Sequence, residues 1–139
     1  MAFSEEQLFN TYKYLLPTLG DDLSWRYEER SNALLSEFAR DKKERVFSAL
    51  QMRLTDEWDR KSIKRVPDEL KSHLKDFTKL SKDQIILSVA ATDDSPTLVA
   101  LWWPWGHGGT FSVRLLAFEQ SYELKPTKLN IFSRLKLLF

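Results

Sequence analysis

IILSVAATDDSPTLVALWWPWGHGGTFSVRLLAF, residues 85–118, is the stretch that decides the fold. It holds three apolar runs, Ile85 to Ala91, Leu98 to Trp103 and Thr110 to Phe118. Thr92-Asp93-Asp94-Ser95-Pro96 separates the first two and is a turn cluster, because Asp and Ser bond nearby backbone and proline fixes φ. Pro104 to Gly109 separates the last two and is a glycine-rich loop. Neither break is long enough for a crossover helix, so the three runs predict antiparallel neighbours in a meander. Apart from His107, the ionisable acids and bases between Gln84 and Phe118 are Asp93, Asp94 and Arg114. Strands this apolar on both sides need cover on both faces.

The residues before this stretch supply helices. Ser4 and Gln7 have the spacing of a capping box, and Leu8, Tyr12, Leu15, Leu16 and Leu19 follow at helical intervals. Pro17 should stop or kink that helix near Leu16, and Gly20 can take the positive φ of a terminator. Leu23, Trp25 and Tyr27 alternate as in a short strand, although a helix starting at Asp22 fits as well. Leu34, Leu35 and Phe38 read as one helical stripe, and Val46, Phe47, Leu50, Leu54 and Trp58 as another. Asp41-Lys42-Lys43-Glu44 interrupts them, so either two helices meet there or one long helix carries an exposed turn. Val66-Pro67-Asp68-Glu69 opens a further helix with proline and acids at its positive end. Leu70, Leu74, Phe77 and Leu80 form its buried face.

Downstream, Leu129, Ile131, Phe132, Leu135, Leu137, Leu138 and Phe139 make an amphipathic C-terminal segment. A helix is slightly favoured there, although a strand also fits. No repeat, linker or low-complexity tract divides the chain. The expected fold is therefore a single α+β domain, residues 1–139. Three or four N-terminal helices pack on an antiparallel meander of three to four strands. The helices cover one face, and the C-terminal segment, a partner chain or a ligand covers the other. Phe38, Phe47, Leu50, Leu74, Phe77, Ile86, Val89, Val99, Leu101 and Val113 are the expected common core.

Composition narrows the function classes. The chain has 139 residues and no cysteine, which excludes a disulfide framework, a thiolate zinc site and a cysteine nucleophile. Lys+Arg is 21 and Asp+Glu is 20, so net charge gives no global pull toward nucleic acid or anionic lipid. Glu5 and Glu6 stand where a signal peptide would be basic, and no apolar run reaches the roughly 20 residues of a membrane span. A cytoplasmic protein is expected.

The segment richest in chemistry is Leu101 to Thr110, which holds Trp102, Trp103, Trp105, His107 and three of the four glycines. Trp102 and Trp103 occupy successive strand positions and should point to opposite faces. Trp103, Trp105 and His107, with Glu119 as a charged partner, are the candidate ligand-binding residues. An aromatic wall beside a carboxylate suits a small apolar or cationic molecule. The plainer reading is a hairpin loop with aromatic packing at its base.

His107-Gly108-Gly109 has the form of a lipase oxyanion segment. The only glycine elsewhere is Gly20, so no Gly-x-Ser-x-Gly elbow exists. The same glycines lack the Lys-Ser/Thr of a phosphate loop. His73 and His107 have no metal-ligand spacing, and Asp93-Asp94 suits a turn better than a cation. No cofactor and no metal are expected. Arg60 to Lys82 is locally basic and precedes a hairpin, as in a winged helix on DNA, but the hairpin is too apolar for an exposed wing. The leading expectation is a non-enzymatic binding module that forms a homodimer. The alternatives are a small enzyme pairing His107 with a carboxylate, and a winged-helix DNA-binding protein.

Overall fold

A computed structural model describes residues 2–124 of the chain. The three apolar runs are three adjacent antiparallel strands: β4 (Ile85–Val89), β5 (Thr97–Pro104) and β6 (Thr110–Phe118). The sheet is larger than the expected meander. Three strands from the first half of the chain, β1 (Arg26–Glu28), β2 (Ala33–Ala39) and β3 (Asp56–Trp58), join it. The order is β1-β2-β6-β5-β4-β3, with every pair antiparallel.

Two of the helical stripes are thus corrected. Leu34, Leu35 and Phe38 lie on β2, not on a helix. Residues 33–36 are all buried, so the two-residue alternation that marks a strand is hidden. The second stripe is helical only as far as Arg53. Leu54 turns the backbone to an extended conformation, and Trp58 ends β3.

Four α-helices stand among the described residues: α1 (Glu5–Thr11), α2 (Leu15–Leu19), α3 (Lys43–Arg53) and α4 (Asp68–Leu74). The Ser4/Gln7 capping box starts α1. The chain breaks at Tyr12–Tyr14, earlier than proline alone would require. Pro17 lies in the first turn of α2, where its missing N–H costs nothing, and Gly20 ends that helix at φ 118°. Pro67 immediately precedes α4, as its sequence implied.

The helices divide between the two faces of the sheet. α1, α2 and α3 lie on the first face, where Leu8, Tyr12, Leu19, Val46 and Leu50 pack on Leu34, Leu87, Leu98, Val113 and Leu115. α4 and its flanking turns lie on the second, where Val66, Leu70, Leu74 and Leu80 pack on Ile86, Val99, Leu101 and Leu116. The expected single core is therefore two cores back to back. Successive residues of β5 serve them alternately: Leu98, Ala100 and Trp102 belong to the first face, and Val99, Leu101 and Trp103 to the second. The second face is covered from within the chain by α4. The C-terminal segment expected over residues 129–139 lies outside the described residues. Among the described residues no helix is long and apolar enough to cross a membrane.

Polar groups are few in these cores and mostly partnered. Tyr12 is 1% exposed; its hydroxyl accepts from the Val99 N–H at 3.3 Å and donates to the Leu116 carbonyl, and burial pushes the phenol's pKa up. On the second face a directed chain runs from the Trp58 indole N–H to Ser88 Oγ at 3.0 Å. It continues from Ser88 to Tyr122 Oη at 2.7 Å and on to the Asp56 carboxylate at 2.5 Å. Burial first, and then the Asp56 carboxylate, raise the Tyr122 pKa.

Candidate functional site

Four hydrogen bonds hold the β5–β6 hairpin loop. The Trp105 N–H donates to the Thr110 carbonyl at 2.9 Å, and the Gly108 N–H donates to the Trp105 carbonyl at 2.9 Å. Gly108 has φ +76°, a conformation glycine adopts without a Cβ clash. The Gly109 carbonyl accepts from the Arg40 N–H at 3.0 Å, which fastens the hairpin to the turn leading into α3. His107 Nδ1 accepts from the Gly109 N–H at 3.0 Å.

Between this hairpin and α3 lies a cleft of about 640 Å³. Its inner lining is aromatic. Trp102 and Phe111 are almost wholly buried, with ring centroids 5.2 Å apart, and Phe47 of α3 meets Trp102 edge-on at 4.8 Å. Phe38 supports both rings from below, 5.9 Å from Trp102 and 6.1 Å from Phe111. Trp105 also lines the cleft and remains 44% exposed. Polar residues complete the lining: Arg40, Lys43, Glu44, Ser48 and Asp83. Lys43 Nζ stands 6.0 Å from the Phe111 ring centroid.

The four residues singled out from sequence do not converge. Trp105 lines the cleft. His107 is exposed, with its ring 5.9 Å from that of Trp105 and outside the cleft lining. Trp103 lies on the opposite face of the sheet and meets Phe77 edge-on at 6.5 Å. Glu119 follows the far end of β6, roughly 25–30 Å along the strand from Thr110. There it lines a second cavity of about 550 Å³ with Phe77 and His73, whose ring stacks on Phe118 at 4.5 Å. Sequence reasoning missed Phe47, Phe111 and Lys43 as cleft residues. Phe47 read as core, Phe111 as part of the third strand, and Lys43 as part of the break between two helical stripes.

Among the described residues, no group of three or more His, Asp or Glu side chains is placed to hold a metal ion. Asp93 and Asp94 sit in the β4–β5 turn, which the Thr92 and Ser95 backbones close. β4 and β5 are interior strands, not a projecting wing.

The fold and cleft thus define an α+β protein in which helices enclose both faces of a six-stranded antiparallel sheet, with an aromatic cleft at one end of the first face. No protein-family model matches the chain, and neither does any curated protein or solved structure.

Proposed function

We propose that this chain is a non-enzymatic binding module whose ligand occupies the cleft between α3 and the β5–β6 hairpin. One observation carries the reading. An exposed tryptophan, Trp105, and a buried aromatic cluster line one space of about 640 Å³, within the usual size of small-molecule pockets. Exposed tryptophan costs hydration free energy that a flat apolar ligand recovers on binding. The enzymatic alternative finds less support, because His107 Nδ1 is engaged by the backbone and Glu119 lies at the other end of β6.

Intrinsic tryptophan fluorescence, titrated with 2-naphthalenemethanol as a neutral planar probe, tests the reading. Saturable quenching that disappears in Trp105→Ala supports it. Identical titrations of the two proteins overturn it.

A homodimer in a cytoplasmic setting belongs to the same proposal. With α4 covering the second sheet face, the case for self-association rests on the apolar residues 129–139. Sedimentation equilibrium at micromolar concentration, with and without residues 129–139, tests it.

A further inference from the structure

We infer that the cleft selects a planar aromatic anion, such as an arylcarboxylate, with its charge held by Lys43. The inference rests on the binding-module reading and adds ligand charge to it. Four charged residues line the cleft, and they differ in exposure. Arg40, Glu44 and Asp83 are exposed, so water and salt screen them; Lys43 is half-buried.

Lys43 also lacks an anionic partner among the described residues. The neighbouring Lys42 pairs with Asp22 at 3.3 Å and Arg45 pairs with Asp22 at 2.7 Å, while no carboxylate lies within ion-pair distance of Lys43. Its nearest described electrostatic contact is the face of Phe111. Phe111 is itself part of the aromatic lining, so the ammonium sits beside the surface on which a flat ligand would lie. Arg40 joins the same lining, and the Gly109 carbonyl bonded to its backbone N–H keeps it against the hairpin. A ligand whose ring lies along Trp102, Phe111 and Trp105 would present a ring substituent to Lys43. A carboxylate there gains a charge-assisted hydrogen bond that an alcohol gains only weakly, and an ammonium is repelled.

The test compares three probes that share one ring system on the full chain: 2-naphthoate, 2-naphthalenemethanol and 2-naphthylmethylammonium. The expected order of affinity is anion above neutral above cation, with the anion favoured over the neutral probe by about 10-fold at low salt. Lys43→Gln should remove most of that preference, lowering the affinity for 2-naphthoate far more than that for 2-naphthalenemethanol. Circular dichroism of the variant checks that it folds, and Lys43→Arg should restore the preference. Equal binding of all three probes, or a preference untouched in Lys43→Gln, overturns the charge assignment while leaving the cleft a binding site. Failure of every probe to bind overturns both.

Discussion

The two faces of the sheet solve the same problem by different means. The first face is covered by three helices, and its buried core is apolar apart from the Tyr12 hydroxyl, Ser36 and the Trp102 indole. The second is covered by one seven-residue helix with short turns, and a polar chain from Trp58 through Ser88 and Tyr122 to Asp56 ties its edge strand to the segment after β6. Hydrocarbon packing tolerates an opening at its end, and the aromatic cleft is that opening. A face with less helix over it relies on directional bonds to fix its neighbours.

The largest effects should come from apolar deletions on either face. Leu50→Ala and Leu74→Ala remove side chains that are 0% exposed, one from each core, and each should cost about 2–5 kcal/mol in denaturant unfolding. Phe77 is only half-buried, so Phe77→Ala should cost less, about 1–3 kcal/mol. A Leu74→Ala loss under about half a kcal/mol would show that α4 is not the cover of the second face.

Tyr12→Phe sharpens the comparison next. It leaves a buried N–H on Val99 and a carbonyl on Leu116 without the phenol, and should cost about 1–3 kcal/mol. Tyr122→Phe should cost less, about 1–2 kcal/mol, because Asp56 is only partly buried and water can replace the lost donor. Thermal or urea melts of the two variants give the ranking. The reverse order would make the polar chain, rather than the tyrosine pin, the more important polar feature.

The smallest effect concerns a half-buried pair at the β1 end. Arg114 Nε donates to Glu28 Oε1 at 2.7 Å, and this guanidinium holds the Glu28 carboxyl below the ordinary carboxylate range. A depressed folded-state pKa contributes stability above the unfolded-state value, and that stability is lost as pH falls through the folded-state value. Glu28→Gln should therefore cost roughly 0.5–1.5 kcal/mol near pH 7 and progressively less as the solution is acidified. A cost independent of pH from 7 to 3 would show that the charge of Glu28 is not what stabilises.

Legibility in the sequence followed local chemistry. β4, β5 and β6 could be read because turn residues bound each run, and Trp102 and Trp103 fell on opposite faces as strand geometry requires. β2 could not, because residues 33–36 are buried without alternation, which resembles a helix stripe as readily as an interior strand. The cleft was half legible. Trp105 and the glycines announce a loop, but Phe47 and Lys43 reach it only through the packing of α3, which no spacing within the loop encodes. Glu119 read as able to face that loop across the sheet, whereas the nine-residue β6 carries it to the opposite end.

Among the described residues β6 is the last of six strands, yet it is inserted between β2 and β5. Until Thr110 to Phe118 is in place, β1–β2 and β5-β4-β3 have no ladder between them, and each fragment leaves an apolar strand edge unpaired. Joining Leu34 to Leu115 closes a loop that spans most of the described chain, an entropy cost incurred before any of the pairing is gained. Folding should therefore be a late, concerted event. A nascent chain stalled before Thr110 would present two sticky edges to its neighbours.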